Sequence, residues 1–217
     1  MIQKHIEKLD KEIEKFIKSG KYARYLILIA VVLMAMTAVA IKNTISTKTY
    51  GSMTYGGRTY KTIVIGTQTW MAENLNSDAR SSKCYDNEFQ NCYKYGRLYD
   101  WETAKKVCPT GWHLPTNMEW DELLRISGNL AGKHLKATDG WNSNGNGTDK
   151  FGFAALPGGF GTLDNKFYNI GYSGFWWSAT EFNADDANSR YMYDNDERVS
   201  WRNFDKTGLF SVRCVRD

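Results

Sequence analysis

The stretch CPTGWHLPTNMEW, residues 108–120, decides how the rest of the chain is read. It places one cysteine, two prolines, two tryptophans and a single histidine in thirteen positions. Cys108 and His113 are either a nucleophile and its base, which needs an accessible, polarised thiolate, or parts of a structural corner. Local chemistry favours the corner. Pro109-Thr110-Gly111 stops a helix, and Thr116 with Glu119 three residues on is a capping box that opens the next one. Trp120, Leu123 and Leu124 then fall on one stripe, and Gly128 is placed to end it.

Working outward, GRLYDWETAKKVC (96–108) sets Trp101, Ala104 and Cys108 on one helical face. Upstream, Tyr60–Ile65 and Gln68–Met71 are short β-prone runs broken at Gly66, which predicts a hairpin. From residue 137 onward short aromatic strands alternate with Asn-, Gly- and Asp-rich loops. All eight tryptophans lie beyond residue 56. A small domain with many loops fills its core with such large side chains.

The beginning of the chain has a different texture. Residues 25–41, YLILIAVVLMAMTAVAI, form an uncharged run of seventeen bounded by Arg24 and Lys42. A helix of that length covers roughly 26 Å, which predicts a transmembrane helix. Lys15, Lys18, Lys21 and Arg24 precede it, so the positive-inside bias puts the N-terminus in the cytoplasm and the rest across a bacterial inner membrane, periplasmic or extracellular. The rival is a cleaved signal peptide, since Ala38-Val39-Ala40 has the small-x-small form. Within residues 1–24, a cytoplasmic amphipathic helix, Ile2, Ile6, Leu9, Ile13 and Phe16 recur at heptad spacing. That seam predicts a homo-oligomer, or an envelope protein partner, through residues 2–41. Residues 42–56 are Thr-, Ser- and Gly-rich and read as a linker, leaving residues 57–217 as the domain.

Charge excludes one function class. Of the net +4, residues 1–24 hold seven Lys and Arg against four acids, so the remainder is nearly neutral. Such a domain has no electrostatic footprint for nucleic acid. Four cysteines outside the cytoplasm are most simply two disulfides, and of three possible pairings two links look natural: Cys84-Cys92 around a nine-residue loop, and Cys108-Cys214 tying the first helix to the last strand.

Six motifs in order carry a resemblance: GRTYKTIVIGTQTWMAENLN, CYDN…C with YGRLYDW, CPTGWHLPTNMEW, GWNSNGNGTDKFGFAALPGG, GFWWSATE and SVRCVRD. From about Tyr55 to Asp217 the chain resembles the Fibrobacter succinogenes major paralogous (FISUMP) domain. That family is similar to the C-type-lectin-like superfamily and, within it, to the formylglycine-generating sulfatase-modifying enzymes. The resemblance implies an α+β, C-type-lectin-like domain with two helices, short antiparallel strands and long loops, here preceded by a long N-terminal helix that includes the transmembrane span. It agrees with the Cys108-Cys214 link.

The enzymes of that superfamily use a reactive cysteine pair in the C-terminal segment, on which a copper-dependent oxidation depends. Residues 178–213 hold no cysteine, so no enzymatic activity and no cofactor are expected. Calcium is a weak alternative: Asn142, Asn144 and Asn146 imitate the start of a calcium loop, and Asp194 and Asp196 form a second acidic cluster, but Phe153 stands where the loop needs Glu. Recognition without metal remains. Trp141, Asn142, Asn144, Trp177, Tyr191, Tyr193 and Trp201 form the candidate ligand surface, aromatic faces beside polar loops. The expectation is a non-enzymatic recognition or structural module of the cell envelope, with a polysaccharide-binding adhesin as the alternative and an oxidase-like enzyme as the second.

Overall fold

The computed structural model describes residues 2–20, 25, 27, 29–34 and 48–217. The chain divides into two compact units, residues 1–47 and 48–217. In the first, helix α1 spans Ile2–Lys18. Its last turn tightens, with Gly20 N–H donating to Ile17 C=O at 3.4 Å, and Gly20 sits at φ +67°, a conformation that ends helices. The expected long N-terminal helix carrying a transmembrane span is therefore corrected: α1 stops at Lys18, and among the described residues no helix is long and apolar enough to cross a membrane. Much of residues 25–41 lies outside the described residues.

The second unit is β-rich. Strands β1 (Thr49–Tyr55), β2 (Arg58–Ile65) and β3 (Gln68–Met71) form an antiparallel meander. The β2–β3 turn is the predicted hairpin, with Ile65 opposite Gln68 and Gly66 at φ +62°. A 3₁₀ turn (Tyr85–Asn87) and α2 (Phe89–Tyr95) follow, then β4 (Leu98–Tyr99), α3 (Trp101–Ala104) and β5 (Trp112–His113). Next come α4 (Asn117–Ser127), α5 (Ala131–Leu135) and the small β6 (Phe160–Gly161) and β7 (Phe167–Tyr168). The unit closes with β8 (Ser173–Glu181), β9 (Asp186–Tyr193), β10 (Ser200–Asp205), β11 (Phe210–Ser211) and β12 (Val215–Arg216). Two five-stranded sheets result, in the orders β1-β2-β3-β12-β5 and β10-β9-β8-β11-β4.

This corrects the two-helix, lectin-like α+β expectation. The second unit holds five helical segments, counting the 3₁₀ turn, and strands dominate it. The helix expected from Trp101 to Cys108 is a single turn, capped by Asp100, whose carboxylate accepts from the Thr103 N–H at 2.8 Å. Two further helices were not among the expected ones: α2 begins inside the Cys84–Cys92 loop and packs Cys92 and Tyr95 inward, and α5 packs Ala131 and Leu135 inward. Within the run expected to be a linker, Thr49–Tyr55 is β1, fully paired to β2.

Two large apolar cores lie in the unit, beside a smaller cluster of Tyr85, Leu98 and Leu209. One gathers Tyr60, Tyr99, Trp101, Phe175, Trp177 and Phe210, the other Trp70, Trp120, Leu123, Phe153, Trp176 and Met192. Neighbouring residues of a strand point to opposite faces. Trp176 and Trp177 thus enter different cores, and β8 is buried on both sides from Ser173 to Ser178.

The opening corner joins these parts. Cys108 is bonded to Cys214, β5 pairs with β12 through His113 opposite Val215, and Trp120 packs 5.0 Å from Trp70. The capping box of Thr116 and Glu119 is complete. Cys84 is bonded to Cys92, so both natural pairings form.

Candidate functional site

A cleft of about 770 Å³ opens where β1 and β2 meet the segments after β3, α2 and α5. Its walls are built from residues far apart in the chain: Tyr50, Arg58, Glu73, Tyr93, Asp139 and Asp149 among them. Two glycines make the space. Gly96 ends α2 at φ +77°, and a Cβ there would lie 2.7 Å from the Asn74 side chain. Gly152, at φ +79°, lets the Tyr50 hydroxyl approach to 2.7 Å of where a Cβ would stand.

The floor is a buried polar network. Asn74 Oδ1 accepts from Trp176 Nε1 at 2.9 Å and from Arg213 Nη2 at 2.8 Å, while its amide donates to Tyr95 C=O at 2.8 Å. Arg213 is fully buried, lies 4.2 Å over the Phe153 ring and donates to the carbonyls of Phe153 and Ala154. Burial holds its guanidinium below the ordinary range, and the charges of Asp149 and Glu73 work against that. Both acids line the cleft, so a buried cation beneath the floor is countered by carboxylates in its walls.

Two of the wall carboxylates are engaged. Glu73 accepts from Arg58 Nη2 at 3.1 Å and from the Lys61 N–H at 3.1 Å. Asp149 accepts from Lys48 Nζ at 3.1 Å and from the Ala154 N–H at 2.8 Å. Arg58 also lies 5.8 Å from the Tyr93 ring centre, covering one face of a side chain that is 69% exposed. Three bases, Arg58, Lys61 and Lys94, stand against three acids, Glu73, Asp139 and Asp149. The cleft is electrically balanced, with two exposed tyrosine rings at Tyr50 and Tyr93.

The residues expected to form a ligand surface are divided. Trp141 and Trp177 are corrected to core positions: Trp141 Nε1 donates to Ala155 C=O at 2.9 Å, and Trp177 Nε1 to Tyr99 C=O at 2.8 Å. A buried indole usually finds such a partner for its N–H, although the Trp120 Nε1 in the core has none among the described residues. Tyr191 stacks on Phe175 at 5.3 Å and meets Tyr193 at 5.3 Å, so these two are brought together. Trp201 is 63% exposed on β10, the edge strand of its sheet. Asn142 and Asn144 are exposed on a turn in which Ser143 and Asn144 take positive φ.

Two of the weak calcium candidates, Asp194 and Asp196, turn their backbone carbonyls to a lysine. Lys136, 2% exposed, donates from Nζ to the carbonyls of Tyr193, Asp194 and Asp196 at 3.0, 3.3 and 3.1 Å. Burial lowers its pKa, opposed by Asp194, Asp196 and Glu197. Asp196 is held below the usual carboxylate range by its hydrogen bonds from Arg198. Asn146 Oδ1 accepts from the Trp141 N–H at 3.0 Å. Among the described residues no three His, Cys, Asp or Glu side chains are grouped to hold a metal.

At the corner, Cys108 has no thiolate to offer, because it is bonded to Cys214. His113 bridges two carboxylates, Nδ1 to Asp217 Oδ1 at 2.6 Å and Nε2 to Glu119 Oε1 at 2.7 Å. Partial burial pulls its pKa down, but the two hydrogen-bonded acids outweigh that and raise it.

Sequence reasoning missed the cleft. Tyr50 lies in a run whose Thr, Ser and Gly content reads as linker, although TYGSMTY carries β-prone residues at intervals. Asn74 and Arg213 carry no signal before the fold brings residues 139 positions apart into contact.

The fold and site define a small β-rich, doubly disulfide-bridged domain with a charge-balanced cleft. The chain belongs to the Fibrobacter succinogenes major domain family, whose model matches residues 63–216. No curated protein matches the chain, and no solved structure does.

Proposed function

We propose that this chain is a non-enzymatic recognition module of the bacterial cell envelope, acting outside the cytoplasm as a subunit of a homo-oligomer. The observation that carries the reading is the cleft, which is large enough for a small ligand and whose Glu73 and Asp149 are already committed to Arg58, Lys48 and backbone N–H groups. A general base needs a carboxylate free to take a proton; Glu73 and Asp149 serve better as fixed hydrogen-bond acceptors, which leaves Asp139 as the one acid lining the cleft without such a bond among the described residues. All four cysteines are paired, which supports an oxidising compartment and leaves thiol chemistry no nucleophile. Exposed Leu9, Ile13 and Ile17 along α1 support self-association through that helix.

The test compares the full chain with a cleft-filling variant, Thr138→Trp, in co-sedimentation with isolated bacterial envelope. The wild type should sediment with the envelope and the variant should remain in solution. Equal behaviour of the two, whether both bind or neither does, overturns the assignment of recognition to this cleft.

A further inference from the structure

The chemistry of the cleft walls narrows what it takes. An extended peptide is held by side-chain anchors in apolar pockets or by a free strand edge. Among the described residues lining this cleft, the one large aliphatic side chain is Leu156; the other apolar contributions are alanines, glycines and tyrosines. That lining offers little to a Leu or Phe anchor; the edge strand β1 does border the cleft through Tyr50 and Gly51, and a peptide added along it is the outcome that the peptide arm of the test below tells apart.

A strongly charged ligand fits no better. A polyanion would gain Arg58, Lys61 and Lys94 but meet Glu73, Asp139 and Asp149, and a polycation meets the reverse. Like-charge contacts of this kind work against binding. What the walls do present is a pair of charged hydrogen-bonding groups already fixed in position, the Glu73 carboxylate against the Arg58 guanidinium at 3.1 Å. The pair offers a strong acceptor beside a strong donor, which suits a group that both donates and accepts, such as a hydroxyl.

Two flat faces complete the arrangement. Tyr93 is backed on one side by Arg58 at 5.8 Å and Tyr50 is 51% exposed, so each ring keeps surface toward the cleft and solvent. Rigid aromatic faces give contact area at small entropic cost. A molecule with an apolar C–H face and a rim of hydroxyls matches both elements at once.

Resting on the recognition reading above, we infer that the cleft binds an uncharged oligosaccharide, with Tyr50 and Tyr93 as stacking faces and the Arg58–Glu73 pair as its hydroxyl clamp. The site is separate from the Tyr191, Tyr193 and Trp201 residues on the other sheet.

The full chain is tested against immobilised neutral gluco-, xylo-, manno- and chito-oligosaccharides, uronate-containing oligosaccharides, and mixed-charge peptides. Binding to at least one neutral sugar is expected. Tyr93→Ala should weaken it roughly tenfold, the loss of one aromatic contact, and Glu73→Gln should weaken it further, while Trp201→Ala leaves it unchanged. Tyr93 is so exposed that its replacement leaves the fold intact, which an unchanged melting temperature verifies. Binding only to uronates or peptides, neutral-sugar binding indifferent to both cleft variants, or no binding in any arm overturns the inference. If Thr138→Trp still abolishes envelope retention while no neutral sugar binds, the ligand class is wrong and the recognition reading stands.

Discussion

His113 shows how one side chain can be both suspicious and structural. It is 39% exposed, with a carboxylate on each ring nitrogen. Its pKa in the fold lies above the ordinary 6.5, so its stabilising contribution is complete below that value and is lost as pH rises through the folded pKa. Glu119 works in the opposite sense: burial pushes its pKa up, but bonds from Thr116 and His113 outweigh this and hold it below 4.5, so its contribution is complete above 4.5 and is lost in acid. The corner is therefore most stable between pH 4.5 and 6.5. Urea midpoints at pH 5.5 and 8.5 check this. The wild type should lose stability between the two, and His113→Gln should lose less; equal losses would remove His113 from the account.

At the scale of elements, the two disulfides differ in what they close. Cys84–Cys92 spans 8 residues of sequence and Cys108–Cys214 spans 106. Loop-closure entropy gives about 2 to 3 kcal/mol for the first and about 4 to 5 kcal/mol for the second. Paired Cys→Ala replacements should follow that order in denaturant unfolding, the 108/214 double variant falling further. The long link also joins Cys214, the residue before β12, to the segment before β5, so its loss loosens both sides of one pairing. These cross-links, the capping box of Thr116 and Glu119 and the hairpin at Gly66 were legible in the sequence, because each rests on residues whose chemistry acts locally or pairs uniquely. The double burial of β8 was not. Its FWWS run matches a buried strand, but nothing in it says that a second core waits on the other side. The cleft was illegible for the same reason, since Tyr50, Asn74, Tyr93 and Asp149 belong to four separate segments and acquire a common purpose only once folded.

For the whole molecule, the two units predict separable behaviour. Residues 48–217 contain both sheets, both cores and both disulfides. A chain lacking residues 1–47 should keep its melting temperature and sediment as a monomer, whereas the full chain should sediment as an oligomer. Leu9→Lys with Ile13→Lys should reduce the full chain to the monomer, since charge on that stripe opposes helix pairing. Equal sedimentation of all three would assign the association elsewhere or remove it.

The order of strands sets a schedule for folding. β12 lies between β3 and β5, and β11 between β8 and β4, so the strand that comes last in the chain order of each sheet occupies an internal place in it. Neither sheet can close before residues 210–217 have left the ribosome. Until then Trp70 and Trp177 lack their completed surroundings, and long-range pairing of this kind is slow and exposed to misassociation. Synthesis thus delivers a chain that waits, and one short segment, from Phe210 through Asp217, finishes both halves at nearly the same moment.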